Sequence, residues 1–311
     1  MRTLLVVNSF ATTTTPEVQS VITSALANHL DLTVVRTTER LHAIEIGKQA
    51  VTEKFELVIA LGGDGTLNEL VNGLLDPQNS QPIPVLAGIP GGNANVFIRN
   101  LGYSNDPVTA TAQLLEKIKE SSTQKLGVGR ASFLNQERWF LFNAGIGLDA
   151  KVLSKMDEKR VQGKIASDLS YALITLKELF TEVRNGKAQL LIADQLGKTY
   201  RETQFALIVN FSPWTYVGKF PLSPTKRQID TSALDVFAPY ELSVSKTAQL
   251  IRDLVLRGEL EKNENVLVLT KQKSLTVTAS QPTWLQTDGE ALGLVTEVKI
   301  EHFADYLTVF A

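Results

Sequence analysis

The apolar positions of this chain change their period along its length. Up to about residue 121, blocks of consecutive apolar residues alternate with stretches in which they recur every three or four positions. The blocks at residues 4–8, 32–35, 57–61 and 85–89 predict strands, and the spacing at 17–29, 41–55, 64–75 and 107–121 predicts helices between them. In the first of these helices Val18, Val21, Ile22, Ala25 and Leu26 share one face. Strand, helix, strand in this rhythm predicts a mostly parallel sheet with helices on its faces, the α/β class. The unbroken run Leu57-Val58-Ile59-Ala60-Leu61 suits a strand covered on both sides. After about residue 122 the pattern turns to short β-type runs, at 127–133, 139–143, 189–193, 203–210, 234–238, 266–269 and 274–279. Turn signals such as Asn185-Gly186 and Asp288-Gly289 part them. This half reads as an antiparallel, β-rich second domain, interrupted by helices at 165–183 and 244–257. Runs at 297–302 and 306–310 read as strands that return to the first domain. The expected organisation is an α/β domain at residues 1–125, a β-rich domain at 126–294 and a returning segment at 295–311.

Composition narrows the chemistry. A chain of 311 residues with 43% hydrophobic content can bury a sizeable core. A formal net charge of −2 gives no reason to expect a nucleic-acid partner held by bulk electrostatics. The absence of cysteine excludes thiol nucleophiles, disulfides and cysteine-ligated zinc. His29, His42 and His302 are too widely spaced to predict a histidine-built metal site. Residues 1–8 are too short, and too soon polar, for a signal peptide. No apolar run reaches the roughly 18 residues that cross a bilayer, so no transmembrane segment is expected and the protein reads as cytoplasmic, soluble or peripherally bound.

The most telling motif joins the buried strand to a helix: Gly62-Gly63-Asp64-Gly65-Thr66-Leu67-Asn68-Glu69. Backbone N–H groups crowd at such a turn, and the first helical turn adds unpaired donors and a positive dipole end. That geometry favours phosphate. Asp64 beside a phosphate is costly unless a metal or a polar network joins it, so the motif predicts a nucleotide with its cation. Thr66 can cap the helix or bond the phosphate. A second turn, Gly91-Gly92-Asn93-Ala94-Asn95, follows the next strand and would open on the same edge. Asn93 and Asn95 could bond phosphate, ribose or Asp64, or merely cap a turn. Asn8 and Thr37 end the first two strands on that edge, where each could equally start a turn. In the second half, Thr287-Asp288-Gly289-Glu290 is a hairpin turn on the plain reading and supplies a general base, Glu290, on the sharper one. The small-residue loop at 142–150 ends in Asp149, which either packs between domains or faces a nucleotide.

Together these motifs resemble the bacterial diacylglycerol kinase family, which shares its catalytic fold with sphingosine kinases and, more distantly, NAD kinases. The resemblance covers nearly the whole chain. It rests on the turn at 62–69 with Val71-Asn72-Gly73-Leu74, the loop at 142–150, the block from Asn210 to Pro224 and Asp288-Gly289-Glu290. It implies an ATP- and Mg²⁺-dependent lipid kinase that phosphorylates diacylglycerol. Residues 62–69 would cradle the triphosphate, with Gly92, Asn93, Asn8 and Thr37 flanking it. Asp64 would join the ATP–Mg²⁺ network, Asp149 the polar groups of the active site, and Glu290 would accept the lipid hydroxyl's proton with Asp288 beside it. The chain departs from the family pattern at three places. Its first strand ends Asn8-Ser9-Phe10 without the family's Asn-Pro. Val96 stands where the family has an acid that supports Asp64. An Asp-Gly that holds a structural Mg²⁺ in the family falls on Thr231 here, leaving Asp230, one residue away, as the metal candidate.

A diacylglycerol kinase must meet a substrate in a bilayer, so the resemblance also implies peripheral contact with the inner face of the membrane. The aromatic, proline-broken stretch at 211–222, edged by Lys219, suits a headgroup boundary or an inward-packed loop. The rival readings are a sphingoid-base kinase, an NAD kinase and a nucleotide-binding regulator without catalysis. The Gly-Ser-Thr-Ala-Tyr type segment of NAD kinases does not occur here. The oligomeric state is left open, a homodimer included.

Overall fold

Valine, leucine and isoleucine leave the inner strands of the first half with little wet face, whereas the edge strand at Asp31–Arg36 has no buried residue. In β1 (Arg2–Val7) five consecutive residues are buried, and in β3 (Leu57–Gly62) all six are. The structure, a computed structural model, describes residues 1–9, 14–78, 81–92, 95–147, 189–210, 215–217, 220–222, 232–241, 243, 245–246, 249–250, 260 and 263–311. The helix expected at 165–183, most of that at 244–257, and Asn93, Asp149 and Asp230 lie outside the described residues. By its contacts the chain divides into two compact units, Met1–Leu126 with Asp305–Ala311, and Gly127–Ala304.

In the first unit the strands run parallel in the order β4-β3-β1-β2, with β2 at Asp31–Arg36 and β4 at Val85–Pro90. The register pairs Val7 with Leu61 and with Arg36, and Gly62 with Pro90, so all four strands end level. Helices α1 (Pro16–Ala27), α2 (His42–Thr52), α3 (Asp64–Leu74), α4 (Val96–Asn100) and α5 (Pro107–Glu120) connect or follow them. Two begin as proline-led helices should. The Thr15 side chain accepts from Val18 N–H ahead of Pro16, and Asp106 accepts from Thr109 N–H ahead of Pro107. Because β2 and β3 lie on opposite sides of β1, the connections diverge between β1 and β3. Open α/β sheets bind ligands at that place, beyond the carboxyl ends of the strands. The last residues of the chain join this sheet, where Val309 pairs with Leu86, and Tyr103 Oη donates to Phe310 O at 2.9 Å.

Helices α2 and α3 meet through glycines. A Cβ on Gly73 would lie 2.1 Å from Ile44 O, and one on Gly47 would lie 2.8 Å from Leu70 O. Both obstacles are backbone, so they yield only if the helices separate. Gly73→Ala is therefore expected to cost about 1–3 kcal/mol or more, read as a Tm several degrees lower. Gly65→Ala is its control, because a Cβ there meets nothing within 4 Å.

The second unit is antiparallel. Its strands β7 (Asn143–Ile146), β9 (Ala206–Val209), β12 (Leu234–Pro239), β13 (Val266–Gln272) and β14 (Ser274–Thr287) lie in the order β13-β12-β9-β7-β14. β8 (Leu190–Ala193) and β15 (Glu290–Phe310) also pair with β14, while β5 (Thr123–Phe133) and β6 (Gln136–Phe140) form a hairpin. β10 (Thr215–Val217) and β11 (Phe220–Leu222) form a separate pair. Phe140, Ile146, Ile192, Ile208, Val236, Leu275, Val277, Leu285 and Ile300 belong to one buried core. Two expectations are corrected. Residues 139–143 are not one strand: β6 stops at Phe140, β7 starts at Asn143, and a bend separates them. The runs at 297–302 and 306–310 are not two strands but one, β15, in which Asp305 bends at φ 51° without breaking it.

Candidate functional site

Each unit holds a polar centre built by a turn. In the first, α3 starts at Gly63, which lies extended (φ −92°, ψ −175°) and has no side chain to cap the helix. The cap leaves the first N–H groups of α3 without the side-chain acceptor that serine or aspartate would supply. The turn is tight. A Cβ on Gly62 would come within 2.6 Å of Thr66 Oγ1, and one on Gly92 within 2.8 Å of Gly63 Cα. Gly91 N–H donates to Gly62 O at 2.9 Å, so the two glycine turns lie backbone against backbone. Gly65 differs: it is exposed and nothing crowds it, so packing does not require a glycine there.

Polar side chains from two strand ends, Asn8 and Thr37, meet Thr66 of α3 at this turn. Asn8 Nδ2 donates to Thr66 Oγ1 at 2.8 Å, Thr37 Oγ1 reaches Asn8 Oδ1 at 3.5 Å, and Ser9 N–H donates to Thr37 Oγ1 at 3.3 Å. Asp64 is held by main chain. Its Oδ2 accepts from Val96 N–H at 2.9 Å and its Oδ1 from Phe97 N–H at 3.0 Å, at the start of α4. Desolvation pushes the Asp64 carboxyl above the usual carboxylate range, while these two N–H groups and the charge of Arg99 pull it down. Asn95, which the sequence left as a partner for Asp64, binds elsewhere. It sits in the left-handed region (φ 47°), accepts from Gly92 N–H at 3.0 Å, and donates to Gly92 O at 2.6 Å and Asn105 Oδ1 at 2.7 Å. It stitches the second glycine turn.

Three residues of the expected cradle turn away from it. Leu67 is fully buried in the core. Asn68 is buried and its Oδ1 accepts from Asn72 Nδ2 at 3.1 Å. Glu69 accepts from Ala43 N–H at 3.2 Å and so caps α2, whose own cap residue, Leu41, has no acceptor to offer. That apolar residue at a helix start was the sequence signal for such a borrowed cap. Among the described residues no group of three or more His, Asp or Glu side chains could hold a metal ion.

In the second unit, Asp288 (φ 48°) and Gly289 (φ 86°) make the two-residue turn between β14 and β15. Asp288 is buried, and its carboxylate takes three backbone N–H groups: Leu141 at 2.6 Å, Phe142 at 3.0 Å and Asn143 at 2.9 Å. These bonds make the bend that splits β6 from β7. Both oxygens of Asp288, which the resemblance sets beside Glu290 at the site, hold the fold in this way. Gln286 adds to the lock, donating to Asn143 Oδ1 at 2.7 Å and accepting from Gly289 N–H at 2.9 Å. Glu290 follows as the first residue of β15, and its carboxylate is paired with Arg138 of β6. Their side chains are only 16% and 12% exposed. Sequence reading missed Arg138; its one signal was a cation alternating with buried Phe140 along a strand.

The diacylglycerol kinase catalytic domain model matches residues 2–130. A diacylglycerol kinase of Bacillus subtilis is 29% identical over 261 residues, 81% of this chain and 77% of that one. A Staphylococcus carnosus protein provisionally named a lipid kinase is 30% identical over 244 residues, 76% of this chain and 71% of that one. The crystal structure of a Bacillus anthracis protein, provisionally named a diacylglycerol kinase, superposes with a TM-score of 0.74 at 26% identity. The match covers 99% of this chain and 97% of that one.

Proposed function

The chain belongs to the diacylglycerol kinase catalytic-domain family of lipid kinases, and from that premise we propose that it transfers the γ-phosphate of ATP to the free hydroxyl of diacylglycerol, giving phosphatidic acid. The observation that carries the reading is the uncapped start of α3, open at Gly65, where the strands of a parallel sheet end. The N–H groups of that helix turn bind the phosphates, and Thr66, steadied by Asn8, lies at the same turn. In the second unit Glu290 accepts the proton as the lipid oxygen attacks the γ-phosphorus in line. The bond from that phosphorus to the β–γ bridging oxygen breaks, and ADP leaves with the electron pair. Asp288 positions Glu290 by locking the turn.

A magnesium ion fits this arrangement as the companion of ATP, not in a cage built by the protein. Asp64, held by the amides of Val96 and Phe97, is the carboxylate that would face the ion's water shell. When bound, the ion neutralises charge on the β- and γ-phosphates. Asp230 as a second, structural metal ligand remains part of the proposal, as does Asp149 among the polar groups of the active site. Among the described residues no helix is long and apolar enough to cross a membrane. The lipid is reached by peripheral contact at the membrane surface.

The test is a panel of diacylglycerol, monoacylglycerol and sphingoid base in mixed micelles with labelled ATP, and a parallel assay for NADP formation from NAD. Labelled phosphatidic acid is the expected product. Transfer to sphingoid base or NAD alone would move the substrate assignment. ATP-induced stabilisation with no transfer to any acceptor would make the protein a regulator. Gly65→Ala, at an uncrowded position, is expected to leave Tm unchanged or slightly higher and to weaken ATP binding, read as a smaller ATP-induced shift in Tm.

A further inference from the structure

The β5–β6 hairpin sorts its two arginines onto opposite faces. Its turn residues Leu134 (φ 46°) and Asn135 (φ 60°) fix a register that sets Arg130 opposite Trp139 and Ala131 opposite Arg138. On one face Arg130 is held by two carboxylates and lies near two aromatic rings. It pairs with Glu137 at 3.2 Å and Glu301 at 3.0 Å, and lies 5.4 Å from the Trp139 ring and 4.8 Å from the Phe303 ring. The other face carries Ala131, Arg138 and Phe140. Ala131 and Phe140 are members of the buried core of the second unit. Arg138 therefore extends along an apolar surface, and its guanidinium ends on Glu290, 152 positions away in the chain. Its Nε is buried with no hydrogen-bond partner among the described residues, and Glu290 is the carboxylate paired with its guanidinium.

We propose that Arg138 is the positioning residue for Glu290 in phosphoryl transfer. The inference rests on the base role given to Glu290 above. A guanidinium stays charged at any working pH and has a rigid fork. Its fork thus fixes the plane in which the Glu290 carboxylate sits. Asp288 holds the same turn from the side of Leu141, Phe142 and Asn143. Glu290 is thereby set between two anchors, one through its backbone and one through its side chain. Lysine would supply the charge without the fork.

The experiment measures lipid phosphorylation by the whole chain and four variants, Arg138→Gln, Arg138→Lys, Glu290→Gln and the double variant, with a thermal melt of each. Arg138→Gln is expected to lower kcat about 10- to 100-fold, the cost of a misplaced reacting group, with KM for ATP little changed. Arg138→Lys should recover part of that loss. In the Glu290→Gln background, Arg138→Gln should cost no further turnover, because a residue that acts through Glu290 has nothing left to position. Unchanged kcat in Arg138→Gln would overturn the proposal, as would a loss that multiplies onto that of Glu290→Gln or merely follows the folded fraction. If the native chain phosphorylates no lipid alcohol, the base reading itself falls, whatever the Arg138 variants do.

Discussion

Glu290→Gln is expected to slow lipid phosphorylation by about 10²- to 10⁴-fold, the usual contribution of a positioned general base. Glutamine keeps the shape of the side chain and an oxygen for Arg138 but cannot take a proton. The Arg138 charge loses its counter-ion in a mostly buried place, so a modest fall in Tm should accompany the change. ATP binding should survive, since the glycine turn proposed to hold the phosphates belongs to the other unit. At ATP near 100 times its Kd, the native chain and the variant should each gain about 2.7 kcal/mol of stability. Full turnover in Glu290→Gln would remove its role as base. Loss of both the turnover and the ATP-induced gain would show instead that the variant is misfolded.

Asp288→Ala should have the largest effect on stability. It strands three N–H groups that now share one buried carboxylate. Unmet buried donors cost about 1–3 kcal/mol each, and water that enters the vacated space recovers part of this, so a net loss of roughly 4 kcal/mol is expected. For a unit of this size that is a Tm lower by about 10 °C. Asp288→Asn keeps one acceptor oxygen and should lose about half as much. Both variants should also lose turnover, because the turn that carries Glu290 is loosened. A melt unchanged from the native chain would refute the anchoring role.

Where local pattern decides structure, the chain could be read in advance. Residues 57–61 are apolar without a break and form β3, and the glycines and Asp64 after them start α3 as expected. Where a distant partner decides, it could not. Phe140, Leu141 and Phe142 look like continuous strand, and the bend there is imposed by Asp288 from 146 positions away. Ser280-Gln281-Pro282 looks like a turn, yet β14 runs through it. Its register with β15 shifts between Thr278 and Thr283, and that irregularity accommodates a proline with no N–H to give. The same limit applies at the site. The glycine turn is local and was legible, whereas Glu69 capping another helix and Arg138 meeting Glu290 are tertiary facts.

Position 96 illustrates what a motif is made of. Scored by side chains, valine there marks a decayed signature, since the acid the family pattern offers to Asp64 is gone. The donors that Asp64 uses are amides of the chain itself, and every residue except proline carries one. Drift at this position is therefore silent to Asp64 as long as the short helix keeps its path. Proline is the one substitution that deletes a donor outright. A catalogue of essential letters would count position 96 as lost; Asp64 asks only for the amide there, while the buried valine side chain answers to packing.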